Sequence, residues 1–379
     1  SNQSSLRRLF MARFMPLPAG TTSPSPALPR ADGLAWKAMG MSKPNQPAAQ
    51  REERLVTQSK LLYLSAADVA AVGVTMPEII AALETAFREH GEGRVEMPPK
   101  PGVHSQPDAF IHAMPAHIPA LRSIGVKWVS GYPGNQARGL PYISGLLILN
   151  DVETGLPLVV MDCTWITAQR TGAATALAAK YLARPESAVL GVLGCGVQGR
   201  SNLEALEVLF PLTSVIAYDT SPAQLEGYAE HVQAQYGLEV VQAAHPRKAV
   251  EECDLVVTAG PILRTPHATI KAGWLREGAF ASLVDFDSYW EGAAMREADK
   301  FITDDLPQFE HYRHVGYFQD VPPIYATLGE LVAGHKPGRE HRRERTMACN
   351  LGLALDDMAV APLAYQRAQE AGLGVWLEL

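Results

Sequence analysis

The chain has 379 residues, of which 47% are apolar and 19% are charged, and its formal net charge is −7 at pH 7. This length allows two domains, and the composition is typical of a globular protein. The acidic balance argues against a nucleic-acid surface, and no apolar run is long enough to span a membrane. The four cysteines form no C-x-x-C pair. We therefore expect no metal site, no disulfide framework and a cytoplasmic location.

Residues 1–57 differ in composition from the rest of the chain. They are rich in Ser, Pro, Ala and Arg, and no acidic residue precedes Asp32. Arg7, Arg8 and Arg13 among apolar residues could mark a transit peptide. We favour a disordered or non-native N-terminal extension, because the proline-rich and polar stretches cannot bury a core.

From about Leu61 the sequence carries both helical and strand patterns. Met76 to His90 has apolar residues at helical spacing, and Thr164 to Leu182 predicts a long helix with an alanine-rich packing face. Between them, Pro/Gly turns separate four predicted strands at Phe110 to Ala113, Ser123 to Trp128, Tyr142 to Asn150 and Leu156 to Met161.

The stretch from Ala188 to Asp219 carries the strongest pattern. A strand-length apolar run leads into Gly194, Gly196 and Gly199 in G-x-G-x-x-G spacing. An amphipathic helix follows, and then a second strand that ends in an acid. Such glycines allow a tight turn, close approach of a pyrophosphate and close packing of helix on strand. The helix N-terminus offers N–H groups to phosphate. The alternative is a glycine turn in an ordinary α/β domain.

Asp219 indicates which dinucleotide would be bound. Its carboxylate would accept hydrogen bonds from ribose hydroxyls and repel a 2′-phosphate. Thr220 and Ser221 after it provide no arginine for such a phosphate. We therefore expect NAD(H) rather than NADP(H). Cys195, inside the glycine loop, is interpreted as a packing residue.

Strands and helices alternate after this fingerprint, with a helix at Pro222 to Tyr236 and strands at Leu238 to Ala243, Leu255 to Ala259, Gly278 to Asp285 and Lys300 to Thr303. The alternation predicts a parallel sheet with crossover helices. Leu351 to Glu370 predicts a closing helix that returns to the first domain. The predicted fold is α/β, with a Rossmann dinucleotide-binding domain at 185–321. It is inserted into an α+β dimerisation and substrate domain at 58–184 and 322–379.

Several motifs fall in order along the chain. They are Met97-Pro-Pro-Lys100, Ala113-Met-Pro-Ala116, Val126-Lys-Trp128, Tyr132-Pro-Gly-Asn135, Asp151-Val-Glu-Thr-Gly-Leu-Pro157, Ala168-Gln-Arg-Thr-Gly-Ala-Ala174, the glycine loop and Gly352-Leu-Ala-Leu-Asp356. With these motifs the chain resembles the ornithine cyclodeaminase / mu-crystallin / archaeal-type alanine dehydrogenase family from about Leu61 to the C-terminus. The resemblance implies a homodimer, an inserted Rossmann domain that holds NAD(P)(H), and an active site in the cleft between the domains.

The resemblance also implies site residues. Lys100, Lys127 and Arg170 match the family's carboxylate-binding positions, and a guanidinium gives a carboxylate its best bidentate fit. On the residues alone, Lys100 could be a surface charge, whereas Lys127 stands between apolar neighbours in a strand pattern. The expected cofactor-binding residues are Gly194, Gly196, Val197, Gln198, Gly199, Asp219, Thr220, Thr171 and Thr258.

Two further candidates depart from the family pattern. Asp287 matches the acid that handles the distal amine and serves in acid–base steps in cyclodeaminases. Bulky residues surround it here, and it could instead be a solvated loop acid. His112 stands where cyclodeaminases have Glu and the alanine dehydrogenase branch has Arg. It could be a general acid or base, a neutral hydrogen-bonding group that selects another substrate side chain, or a core histidine. We name Lys127, Asp287 and His112 as candidate catalytic residues, and His112 also as a candidate substrate-binding residue.

The residues and the resemblance together predict an NAD(H)-dependent oxidoreductase that exchanges a hydride at the α-carbon of a small amino acid or its imine. This is the chemistry of an amino-acid dehydrogenase or ketimine reductase. One alternative is a cyclodeaminase-like lyase that converts a diamino acid to a cyclic imino acid, with release of ammonia and no net redox change. Another is a non-catalytic, crystallin-like nucleotide-binding protein. The presence of all three of Lys127, Arg170 and Asp287 counts against this second alternative. The expected partner is a small amino or imino acid, with neither nucleic acid nor membrane.

Overall fold

A computed structural model of the protein describes residues 60–106 and 108–379, and these residues form two β-sheets with helices packed against them. The predictions for residues 1–57 lie outside this part of the chain. Within the described ranges, none of the helices combines the length and the apolar character that crossing a bilayer requires.

The first sheet has seven strands and is mixed. Its strands are β1 (Lys60–Leu64), β2 (Gly102–Val103), β3 (Phe110–Ile118), β4 (Ser123–Gly131), β5 (Ile143–Asn150), β6 (Pro157–Asp162) and β15 (Val375–Glu378). They lie in the order β15-β1-β6-β5-β4-β3-β2. The pair β1 and β6 is parallel, and the other neighbours are antiparallel.

β3 and β4 extend beyond their predicted ends at Ala113 and Trp128. Pro115 lies inside β3 but past the end of β2, which pairs only with Ile111 and His112. A strand edge without a neighbour tolerates proline, because no ladder hydrogen bond is lost there. The longer strands carry the side chains that form the floor of the site described below.

The second sheet has eight strands, and every neighbouring pair in it is parallel. Its strands are β7 (Val189–Leu193), β8 (Ser214–Tyr218), β9 (Glu239–Gln242), β10 (Leu255–Thr258), β11 (Phe280–Leu283), β12 (Lys300–Thr303), β13 (Ala326–Thr327) and β14 (Thr346–Cys349). They lie in the order β13-β12-β14-β11-β10-β7-β8-β9. The predicted parallel sheet is therefore present.

The predicted domain boundary at residue 321 falls inside this second sheet. β13 and β14 come after the boundary, yet both pair with β12. Two and four residues are too short a run for an apolar pattern to reveal a strand. The division into two domains itself stays a prediction.

Ten α-helices accompany the sheets in the described residues. They are α1 (Ala66–Ala71), α2 (Met76–Gly91), α3 (Thr164–Leu182), α4 (Val197–Leu209), α5 (Pro222–Tyr236), α6 (Lys248–Glu251), α7 (Gly292–Met295), α8 (Leu306–His314), α9 (Leu328–Val332) and α10 (Ala354–Ala371). α10 packs on β3, β4 and α2, so it returns to the first sheet as expected. It begins at Ala354 rather than Leu351, because Gly352 has a left-handed φ of 73°.

Candidate active site

A cavity of about 810 Å³ is lined by strand residues of the first sheet and by residues that directly follow strands of the second sheet, such as Ala259, Val284 and Asn350. Lys127 reaches it from β4 of the first sheet, and Lys100 reaches it from the loop before β2. Arg170 reaches it from α3, and Gln198 reaches it from the first turn of α4. The cavity therefore brings the three predicted carboxylate-binding residues together with the helix that follows the glycine loop.

The two-residue period of β3 and β4 explains why polar side chains lie over a buried face. In β4, Lys127 and Val129 are buried, whereas Trp128 between them is 51% exposed. In β3, Met114 is buried, and His112 two residues earlier lies on the same face. Lys127 is thus a residue of the cavity and not a surface charge.

α3 lies very close to α4, which follows the glycine loop. A Cβ at Gly172 would stand 2.2 Å from the carbonyl oxygen of Ser201 on α4, so this approach requires glycine. The close packing holds Arg170 and Thr171 at the cavity beside the predicted coenzyme site.

Two adjacent aspartates in the first turn of α10 pair with two of the cations. Nζ of Lys127 lies 2.6 Å from Oδ2 of Asp357, and Nε of Arg170 lies 3.4 Å from Oδ1 of Asp357. Arg170 also donates Nη1–H to Oδ2 of Asp356 at 3.1 Å. All four side chains are buried. Burial lowers the pKa of the Lys127 amine, and Asp357 opposes that decrease.

The amine of Lys100 is held by carbonyl oxygens. Its Nζ donates to Leu351 and Gly352 at 3.1 and 3.0 Å, and lies 5.1 Å from the ring centroid of Tyr312. Burial lowers the pKa of Lys100 to about 7. Burial likewise raises the pKa of Asp304, which accepts the Gly352 N–H at 2.9 Å, to about 7. A bound carboxylate would therefore stabilise the charged form of Lys100 more than that of Lys127 or Arg170, which already pair with aspartates.

His112 is held in a stack of rings. Its ring centroid lies 4.3 Å from that of Phe110, and His104 meets it edge-on at 6.2 Å. Burial, together with the nearby charge of Lys100, lowers the pKa of His112 to about 3. The imidazole is thus neutral near pH 7. This environment favours the neutral hydrogen-bonding group over the acid–base role with a near-neutral pKa.

Asp287 is not among the described residues that line the cavity. Its Oδ2 accepts the Phe318 N–H at 2.9 Å, and the residue is only 5% exposed. Burial raises the pKa of this carboxyl. Phe286, which has a φ of 63°, lines the cavity instead. The structure thus does not bring Asp287 together with the three cations, and the interpretation as a solvated loop acid is wrong because the side chain is buried.

The glycine loop has the geometry that a dinucleotide requires. Gly194 has a φ of 102°, and a Cβ there would lie 2.6 Å from the carbonyl oxygen of Ala259. A Cβ at Gly199 would lie 2.3 Å from the oxygen of Gly194, whereas nothing stands within 4 Å of a Cβ at Gly196. Gly196 caps α4 without a side-chain hydrogen bond. The loop therefore leaves open space beside N–H groups that can hold a pyrophosphate.

The other predicted cofactor residues differ in where they lie relative to the cavity and the glycine loop. Asp219, at the end of β8, accepts the Cys195 N–H and the Ser221 N–H, each at 2.8 Å, which fixes its carboxylate beside the glycine loop. Thr171 and Gln198 line the cavity. Val197 and Thr220 are exposed near the loop. Thr258 is buried, and its hydroxyl donates to Asp285 at 2.7 Å rather than into the cavity.

Several residues of the site were not predicted from the sequence. Asn350 is 5% exposed and lines the cavity, and its amide has no hydrogen-bond partner among the described residues. The pairing of Asp356 and Asp357 was also missed, although two acids in an otherwise apolar helical segment predict buried charges that need cations. No local signal places Asp304 near Lys100, because the two are far apart in the chain.

Comparison with known proteins agrees with this geometry. The model of the Ornithine cyclodeaminase/mu-crystallin family matches residues 60–372. The alanine dehydrogenase of Archaeoglobus fulgidus is 37% identical over 313 residues, which cover 79% of this chain and 93% of that protein. The structure of Thermococcus litoralis Δ1-pyrroline-2-carboxylate reductase with NADH and L-proline has a TM-score of 0.76 and 34% identity, and covers 83% of this chain and 99% of that one. An archaeal alanine dehydrogenase dimer with bound NAD has a TM-score of 0.75 and 36% identity, over 84% and 99% of the two chains.

These relatives support the predictions made from the sequence. The α/β fold is confirmed. The prediction of an NAD(H)-dependent oxidoreductase that acts on amino or imino acids agrees with the activities and bound coenzymes of these relatives. Since the family model spans most of the chain, the protein belongs to the ornithine cyclodeaminase/mu-crystallin family.

Proposed function

We propose that the protein exchanges a hydride between NAD(H) and the α-carbon of an amino acid or its imine, as an amino-acid dehydrogenase or ketimine reductase. The observation that carries this proposal is the burial of Lys100, Lys127 and Arg170 around one cavity. The same cavity receives the first turn of α4. A carboxylate held by these cations would present its α-carbon to the coenzyme site.

The glycine loop supports NAD(H) as the coenzyme. Gly196 and the N–H groups of α4 would hold the pyrophosphate, and Asp219 would accept hydrogen bonds from the adenosine ribose. The negative charge of Asp219 would repel a 2′-phosphate. When bound, the nicotinamide supplies or accepts the hydride.

The three cations have different surroundings, and we assign them different roles. Lys100, held by carbonyl oxygens, binds the substrate carboxylate. Arg170 is fixed by Asp356 and Asp357, so it offers a rigid guanidinium for the same carboxylate. Lys127 is the candidate for proton transfer, because burial lowers the pKa of its amine. In imine reduction its ammonium would give a proton to the substrate nitrogen, and in the reverse direction its amine would take that proton back.

The two alternatives receive less support. A cyclodeaminase needs an acid beside the distal amine, and Asp287 instead accepts the Phe318 N–H outside the cavity lining. A non-catalytic role gives no reason to bury three cations, since buried charges lower stability unless they are well paired.

The test uses the full chain with two assays. One mixes it with NAD+ and a panel of amino acids, and the other with NADH, ammonia and the matching keto acids. NADH absorbance and free ammonia are followed in both. Net formation or consumption of NADH supports the proposal. Ammonia release from a diamino acid without net NADH would establish the cyclodeaminase instead, and coenzyme binding without any turnover would establish the non-catalytic protein.

We further propose a homodimer formed through the outer face of the first sheet. Trp128 and Leu146 are register partners on β4 and β5, and they are 51% and 43% exposed. Exposed apolar residues in one patch are typical of an interface. A cytoplasmic location is proposed from the four cysteines, which are all buried and free of disulfides.

A further inference from the structure

Rings from β3 and from the loop that precedes it form a flat wall of the cavity. Phe110 and His112 lie with their planes 16° apart, and His104 stands against the edge of His112. All three line the cavity. Because the imidazole of His112 is uncharged near pH 7, the stack of Phe110 and His112 is both planar and neutral.

A second group of rings comes from the loop after β11 and from the region of α8. Phe286 lines the cavity with its backbone at a φ of 63°, which a side chain this large rarely adopts. The ring centroids of Tyr312 and Tyr317 lie 5.0 and 5.7 Å from that of Phe286, and both tyrosines also line the cavity. The strained backbone is thus held by ring packing. Since Tyr312 also contacts the amine of Lys100, this wall begins beside the carboxylate site.

Apart from the three cations of the carboxylate site, the cavity lining offers few charged groups that could serve a substrate side chain. Among the described lining residues, Asp108 is the sole acid, and it is exposed. Arg264 is also exposed, and its guanidinium donates to the Val315 carbonyl at 3.1 Å. A charged substrate side chain would therefore lose hydration without gaining a buried partner of opposite charge.

We propose that the site prefers an α-amino or α-imino acid whose side chain is planar and uncharged, with an aromatic ring as the best fit. The inference rests on the proposed function. The carboxylate lies with Lys100, and the ring lies between the wall of Phe110 and His112 and the wall of Phe286. Aromatic rings gain from offset and edge-to-face contacts beyond the area they bury. The methyl group of alanine would leave this space to water.

The test compares kcat/KM for four substrates in the NAD+-dependent direction, namely L-phenylalanine, L-alanine, L-aspartate and L-ornithine. The matching keto acids with NADH and ammonia serve in the other direction. We expect the phenyl substrate to exceed each of the others by about tenfold or more, the discrimination typical of an apolar pocket.

Phe286→Gly removes one wall and keeps a backbone conformation that glycine adopts freely. The ratio of kcat/KM for phenylalanine over alanine should fall about tenfold in this variant. Phe309→Leu is the matched control. Phe309 is buried and stacks on Phe318 at 4.6 Å, but it is not among the lining residues. Its substitution should leave the ratio as in the wild type.

The outcomes separate this inference from the function on which it rests. A wild-type preference for alanine, aspartate or ornithine overturns the inference and leaves the proposed function standing. A ratio that Phe286→Gly does not change, or that Phe309→Leu changes equally, also overturns it. If the protein turns over none of the four substrates in either direction, the proposed function itself is overturned.

Discussion

Nζ of Lys127 lies 2.6 Å from Oδ2 of Asp357, and both side chains are almost inaccessible to solvent. The pair joins β4 of the first sheet to α10, which follows the last strand of the second sheet. Two charges removed from water lose their hydration, and only their mutual attraction offsets that loss. Each partner therefore depends on the other for its stability in the interior.

Replacing Asp357 by Asn should leave the charge of Lys127 buried without its partner. We expect the free energy of unfolding to fall by about 3–5 kcal/mol, measured by urea denaturation of the full chain. Asp320→Asn is the control, because Asp320 pairs with Arg296 at an exposed position. That change should cost less than about 1 kcal/mol. If the free energy of unfolding fell equally in the two variants, burial would not be what makes the Lys127–Asp357 pair important for stability.

The same pair shows what could be predicted from the sequence. The strand at Lys127 follows from its local two-residue period, and the glycine loop follows from residues that are neighbours in the chain. The partner of Lys127 does not follow, because Asp357 lies far from it in the chain and meets it only in the tertiary structure. Local chemistry thus predicts elements well, whereas charge pairing between distant segments needs the tertiary structure.

Asp287 marks a second limit of sequence-based reasoning. The resemblance to cyclodeaminases implied an acid that handles the substrate's distal amine, but its carboxylate accepts the Phe318 N–H instead. The preceding residue, Phe286, has a left-handed φ, and Phe318 has a φ of 54°. Phenylalanine rarely adopts this conformation, so no residue preference could have indicated the turn.

Gly196→Ala tests the dinucleotide site without disturbing the fold. A Cβ at this position meets nothing within 4 Å, and the φ of −80° suits alanine. Thermal stability should therefore stay as in the wild type. The affinity for NADH should weaken by about 1–3 kcal/mol, since the methyl group would press on the pyrophosphate. Calorimetric titration measures this difference. Unchanged affinity would place the coenzyme elsewhere.

The amine of Lys100 should make carboxylate binding depend on pH. With a pKa of about 7, the amine is charged below that pH and becomes neutral above it. The inhibition constant of propionate, which has no amine of its own, should rise roughly tenfold per pH unit above pH 7. In Lys100→Arg the guanidinium stays charged, so the constant should remain flat. The same slope in both proteins would show that another group titrates.

The outer face of the first sheet can be tested by adding a charge. Trp128→Lys places an ammonium in the exposed apolar patch and should convert a dimer to a monomer in sedimentation velocity at micromolar concentration. Val208→Lys on α4 is the control, because Val208 is also exposed but lies on a helix beside the other sheet. A wild-type monomer, or dissociation by both changes, would contradict the proposed interface.

The carboxyl of Asp285 should make stability fall as the pH rises. The residue is 1% exposed, it accepts hydrogen bonds from Thr258 and Gly260, and burial raises its pKa to about 7. Because the folded-state pKa lies above the unfolded value of about 4, the folded state binds the proton more tightly. The contribution of this carboxyl to the free energy of unfolding is complete below about pH 4 and is lost as the pH rises to about 7. Asp285→Asn carries no ionisable group, so its free energy of unfolding should lack this loss, which reaches about 3–4 kcal/mol. Urea denaturation across this range should therefore give curves for wild type and variant that separate as the pH increases, and parallel curves would contradict the titration of Asp285.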